Sequence, residues 1–281
     1  MIIRIPPRAA LLAGVLLLLA AGAGGMWWRA RHRPAPQSST EAAPLPVPPL
    51  PPRIAQGPEY EHCLDMLGSD PAGANDLAES WEATGGGDGA KHCRALAQIA
   101  LGDPATGAAM LEALGGSSTA AGAARAAIYG QATQAWIMAG DANRAYGSAT
   151  LALSLSPDDP ELLIDRAIAA AQLEQFAEAT DDLTRALALD PRRPDALVYR
   201  AAAWRHLDQP ARAEADIDRA IALDPGNADA LLERGILRQL RGDRDGARAD
   251  WEQAEHLDPD SATADLAQQD LALLDAGPSQ Q

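Results

Sequence analysis

"ADIDRAIALDPGNADALLERG", residues 215–235, holds the two features that decide the fold. A proline, Pro225, interrupts an otherwise good helical pattern, and a charge, Arg234, sits beside Gly235 on the apolar side of the next helical stretch. The proline recurs at a fixed step. "LSLSP" ends at Pro157, "LALDP" at Pro191, "IALDP" at Pro225 and "EHLDP" at Pro259, each 34 residues after the one before. A constant period of this length marks a stacked array of repeats, none of which buries its apolar face alone. Each period holds two stretches with apolar residues at helical spacing. Proline lacks an amide hydrogen and disfavours helix in the residue before it, so it ends the second helix of each unit. Asp159 and Asn227 then cap the following helix, and Pro160 and Pro194 suit its first position.

With position 1 set at Ala126, Pro160, Pro194 and Ala228, small residues fall in phase: Thr133, Ala167, Ala201 and Gly235 at position 8. Ala145, Ala179, Ala213 and Ala247 follow at position 20, and Ala152, Ala186, Ala220 and Ala254 at position 27. Large residues stand between them, with Trp136 and Trp204 at position 11 and Leu183, Ile217 and Trp251 at position 24. This pattern resembles the tetratricopeptide repeat (TPR) family over about half the chain, with Thr133 its weakest match. The resemblance implies an all-α protein, a right-handed superhelix of helical hairpins. Residues 261–275, "SATADLAQQDLALLD", suit the capping helix that such arrays need.

Position 7 is usually large and apolar in the family. Here it is Arg166, Arg200 and Arg234, and position 23 of the same units is Asp182, Asp216 and Asp250. In the first unit the two positions are Ala132 and Ser148, so both charges are missing together. Charges that come and go as pairs predict an Arg–Asp bridge between the two helices of each hairpin. Such a bridge adds little net stability, but removal of one partner strands the other.

Composition narrows the function classes. The five arginines up to residue 33 have no acid among them, which leaves 18 basic against 39 acidic residues in the remainder. A body this acidic has no footprint for nucleic acid. Ala9 to Trp28 is a run of 20 residues without charge. As a helix at about 1.5 Å per residue it just spans a hydrocarbon core of about 30 Å. A cleaved signal segment is the alternative, with Ala21-Gly22-Ala23 as its site. The apolar run continues past that site to Trp27-Trp28, where interfacial aromatics sit, and this favours an uncleaved anchor. Residues 34–57 are a proline-rich spacer. The expected organisation is therefore an anchor or signal segment over 1–33, the spacer over 34–57, degenerate hairpins over 58–123, four units over 124–259, and a capping helix with tail over 260–281.

Two cysteines, Cys63 and Cys93, fall in "EHCLDML" and "KHCRALAQIALGD". The latter ends in Gly102-Asp103, as the clearer units carry Gly140-Asp141 and Gly242-Asp243, so both cysteines are expected on first helices of adjacent hairpins. A disulfide there closes a loop worth about 3–4 kcal/mol in the chain-entropy model. It implies an oxidising compartment, hence a single-pass inner-membrane protein with its body in the periplasm, or a periplasmic protein after cleavage. The second reading uses the pairs His62-Cys63 and His92-Cys93 for a metal or redox site. Neighbours on a helix diverge by about 100°, which makes convergence of all four awkward.

No motif for nucleophilic, metallo-hydrolytic or phosphate chemistry occurs, and "ATGGGDGAKH" (83–92) reads as a connector between helices. The chain is therefore expected to be no enzyme and to need no cofactor. In the family a groove lined by first helices binds polypeptides. Carried onto this sequence, that groove takes Gln134, Ile164, Ile168, Val198, Ala202, Arg205, Leu232 and Ile236. The lysine and asparagine that clamp a terminal carboxylate are absent. The stripe is mostly apolar, fits a protein or peptide partner, and is expected to leave Ile168, Val198 and Ile236 semi-exposed.

Overall fold

The computed structural model describes residues 53–276, and among these it holds thirteen α-helices and no strand. They pair in chain order. Hairpin one is α1 (Pro58–Met66) with α2 (Pro71–Ala83), and hairpin two is α3 (Gly87–Ala100) with α4 (Pro104–Ser117). Then come α5 (Gly122–Met138) with α6 (Ala142–Leu155), and α7 (Pro160–Gln172) with α8 (Phe176–Leu189). The last pairs are α9 (Pro194–His206) with α10 (Pro210–Leu223), and α11 (Ala228–Leu240) with α12 (Arg244–Leu257). A final helix, α13 (Ala262–Ala276), packs on α11 and α12 where a further hairpin would sit. The glycine-rich stretch expected as a connector contributes only partly to one: from Gly87 onward it is the opening of α3. No helix among the described residues is long and apolar enough to cross a membrane; the expected anchor at 9–28 lies outside them.

Local chemistry sets the helix ends. Asp70, Asp103, Asp141, Asp159, Asn227 and Asp243 each accept a backbone N–H from the first turn that follows. Prolines open α1, α2, α4, α7, α9 and α10, where an amide hydrogen has no helical partner. The turn inside five hairpins needs a left-handed residue, supplied by Gly102, Gly140 and Gly242 and, under strain, by Glu174 and Asp208.

Packing follows the small residues. The alanines at positions 20 and 27, from Ala145 to Ala254, have essentially no exposed surface, so helices pack closely over them. The arginine at position 7 and the aspartate at position 23 lie across each contact. Arg166 holds Asp182 through two bonds of 2.7 Å, Arg200 holds Asp216 at 2.8 and 2.7 Å, and Arg234 holds Asp250 at 2.9 and 2.6 Å. The α5–α6 hairpin lacks this pair. Its Ser148 and Trp136 instead bond Glu112, which reaches over from α4.

Gly235 shows how tight this contact is. A Cβ on it would stand 2.3 Å from Nε1 of Trp251, the large residue at position 24 of the same hairpin. The other hairpins combine alanine (Ala167, Ala201) with a smaller residue (Leu183, Ile217). Gly235→Ala is expected to destabilise by about 1–3 kcal/mol through overpacking. The Gly235→Ala, Trp251→Leu double change should cost less than the sum of the two single changes. Denaturant unfolding of the four proteins checks both the cost and the sign of the coupling.

Candidate functional site

First helices stack on first helices: α5 on α7, α7 on α9, α9 on α11 and α11 on α13. The face they form is joined by polar bonds between neighbours. At the N-terminal end the Tyr60 hydroxyl of α1 lies 2.5 Å from Nδ1 of His92 on α3, whose Nε2 lies 2.7 Å from Oε1 of Gln131 on α5. Burial lowers the His92 pKa to about 4, so the ring is neutral, and its Nε2–H donates to Gln131 while Nδ1 accepts from Tyr60. Next, the Gln134 amide donates to Asp165 of α7 at 3.2 Å. Arg205 of α9 then grips the buried Glu233 of α11, with its Nε 2.6 Å from the carboxylate.

Between α7 and α9 the bridge lies at the N-terminal end, where Arg193, the residue before α9, joins Glu161 of α7 to Asp195, and position 6 makes none. Tyr199 occupies the position that Asp165 and Glu233 hold on their helices, and it is 43% exposed. Beside it opens an apolar cleft of about 490 Å³, with Ile168 and Ala171 of α7 on one wall and Ala202 and His206 of α9 on the other. Phe176 closes the end, stacked on the His206 ring at 4.2 Å between centroids.

The residues expected in the groove divide into three groups. Ile168 and Ala202 line the cleft and are partly exposed. Gln134 and Arg205 are on the same face but are engaged by Asp165 and Glu233, while Leu232 and Ile236 pack toward the C-terminal core that α13 completes. Ile164 and Val198 are a correction: they are 3% and 8% exposed and belong to the main core. Position 5 points into the seam between neighbouring first helices rather than out of it. The expectation that Val198 is semi-exposed therefore fails. Position 2 carries more of the open face than position 5, and position 6 is open at Tyr199 but buried at Gln131, Asp165 and Glu233. The spacing i, i+4, i+7, i+11 that joins positions 2, 6, 9 and 13 along one helical stripe is the signal that finds them.

Cys63 on α1 and Cys93 on α3 are bonded to each other, with Cα atoms 6.2 Å apart. The His-Cys pairs do not converge on a metal. His62 is exposed, His92 is engaged by Tyr60 and Gln131, and no group of three or more metal-ligating side chains is assembled among the described residues.

Residues 134–204, running from within α5 to within α9, match the tetratricopeptide repeat family. The chain is a TPR protein. Its fold is similar to that of the Pseudomonas aeruginosa protein pilF, at 17% identity and a TM-score of 0.59, over 76% of this chain and 96% of that one. TTC0263, a TPR protein of Thermus thermophilus, follows at 16% identity and a TM-score of 0.54, over 66% of this TPR protein and 98% of that chain. YrrB, described as a TPR protein with an unusual peptide-binding site, has 18% identity and a TM-score of 0.50, over 69% and 96%. At these identities the likeness is one of fold. No curated protein sequence matches the chain at a significant level.

Asp165 is the ionisable group most out of place in this face. Burial raises its pKa from 3.8 to about 7, against the opposing Gln134 bond. A carboxyl whose folded pKa is raised contributes stability that is fully present below its unfolded pKa and is lost as pH rises through the folded value. Asp165→Asn keeps the shape and removes the titration. Relative to this variant, the wild-type protein should lose melting temperature as pH rises from about 4 to 7. Parallel curves for the two proteins across that range would contradict this.

Proposed function

We propose that this TPR protein is a non-catalytic scaffold that holds a polypeptide on its first-helix face, as a holding or assembly factor in the bacterial envelope. The observation that carries the reading is the cleft between α7 and α9: apolar, open, and set where position 6 of the first helices makes no polar bridge. An apolar patch of this kind is rarely left uncovered without a partner. YrrB, of the same fold, is described by its peptide-binding site, and a site of that class on this chain fits the cleft. We place the body in the periplasm, tethered to the inner membrane by the uncharged run at 9–28 and held off the bilayer by the spacer at 34–57. The Cys63–Cys93 bond suits that oxidising compartment.

Photo-crosslinkers placed one at a time in the full chain, in its native envelope, test both parts. Ile168 and Ala202 should yield crosslinks to a polypeptide. Thr150 and Asp218, exposed on the second helices α6 and α10, should yield none. The protein should stay with the membrane on alkaline extraction. Equal crosslinking at all four positions, or crosslinking only from the second helices, would contradict the groove; release on extraction would contradict the tether.

A further inference from the structure

The first-helix face has a polarity along each helix that the apolar cleft alone does not reveal. On α7 the stripe of positions 2, 6, 9 and 13 is Glu161, Asp165, Ile168 and Gln172. On α9 it is Asp195, Tyr199, Ala202 and His206, and on α11 it is Asp229, Glu233, Ile236 and Leu240. Along this stripe the acids lie in the N-terminal halves of three neighbouring helices and the residues of the C-terminal halves carry no acid, while Arg205 stands beside the stripe near the end of α9. The α5 stripe, Ala127, Gln131, Gln134 and Met138, has no acid, so the acidic edge begins at α7.

Only three of the acids are paired with a cation among the described residues. Arg193 bridges Glu161 and Asp195, and Arg205 pairs with Glu233. Asp229 receives only the Thr263 hydroxyl. Asp165 is 9% exposed and receives only the Gln134 amide, and no cation among the described residues stands within ion-pair distance of it. Four exposed or arginine-paired carboxylates and the buried Asp165 carboxyl therefore share two arginines along this edge. Tyr199 joins the two zones: its ring lines the apolar cleft, and its hydroxyl lies in the field of Asp229, Asp195 and Asp165. Acids in a first helical turn also complement the helix N-terminus, which accounts for Glu161, Asp195 and Asp229 on their own terms. It does not account for Asp165, which lies one turn deeper, buried and without a cation.

Resting on the polypeptide-binding reading, we propose that the groove across α7, α9 and α11 selects a segment of a separate protein that carries lysine or arginine side chains beside apolar ones. The apolar side chains enter the cleft walled by Ile168 and Ala202. The cations lie along the acidic edge, where the exposed Asp229 lacks a countercharge. Charge of this kind sets partner choice and association rate more than total affinity, and it suppresses acidic partners outright.

The test titrates the full chain, at physiological salt, with a short synthetic peptide of leucines and arginines and with its analogue in which every arginine is glutamate. The leucine–arginine peptide should bind at least about tenfold tighter. The Asp195→Asn, Asp229→Asn double variant should lose about tenfold of that affinity. The charge-matched Asp258→Asn, Asp260→Asn variant, altered in an exposed turn, should lose little. Equal losses in the two variants would mean unspecific attraction to an acidic chain, and would overturn the proposal. Tighter or equal binding of the glutamate peptide would overturn the charge assignment and leave the groove standing. If neither peptide binds, the photo-crosslink from Ile168 separates the cases. A polypeptide caught there would overturn only the charge assignment, and none caught would overturn the groove as well. A crosslink to Arg29–Arg33 of the same chain would replace the separate partner with the protein's own basic segment.

Discussion

Paired helices in this protein touch at alanine. Ala145, Ala179, Ala213 and Ala247 have essentially no accessible surface, and neither do Ala152, Ala186, Ala220 and Ala254. Close approach concentrates the packing of each hairpin at a few points, and the remaining side chains adjust to it. The Arg–Asp bridges form because the helices are near enough for a guanidinium to lie flat against a carboxylate across the gap. Gly235 is needed because Trp251 has claimed the volume that a methyl group would take. Where the bridge is missing, in the α5–α6 hairpin, Glu112 from the preceding unit supplies the bonds, and the register is carried between hairpins instead of within one.

The same close packing decides where the protein has a free surface. Second helices turn their alanines to the first helices, and first helices stack on each other through position 5, which buries Ile164 and Val198. Polar pairs tie neighbouring first helices along the array: Tyr60 with His92 and Gln131, Gln134 with Asp165, Arg193 with Glu161, Arg205 with Glu233, and Thr263 with Asp229. Between α7 and α9 position 6 is Tyr199, which makes no such bridge, and the seam opens into the cleft. The cleft thus opens beside Tyr199, where position 6 makes no bridge.

Much of this was legible in the sequence. The period of the prolines, the alanine positions and the paired charges at positions 7 and 23 are local patterns repeated several times, and repetition makes them readable. The cysteines were placed on adjacent first helices by aligning Gly102-Asp103 with the clearer turns, and the structure sets them there. The groove was legible only in part. The family resemblance puts position 5 on the groove surface, yet in this chain Ile164 and Val198 at that position are buried in the core. The acidic edge was missed because Asp165 and Glu233 are not periodic: Gln131 and Tyr199 interrupt them, and their partners come from other hairpins. Contacts between repeats with different residues in each leave no pattern along the chain.

The claim on which the account turns is that binding happens on the first-helix face between α7 and α11. Hydrogen exchange of the intact chain, with and without a bound polypeptide, locates the binding face without any knowledge of the partner. Added protection should be confined to peptides covering α7, α9 and α11 and the turn before Phe176. Protection gained instead on the second helices α8 and α10, or spread evenly over the array, would show that the polypeptide binds elsewhere and that the cleft is only a gap in the packing.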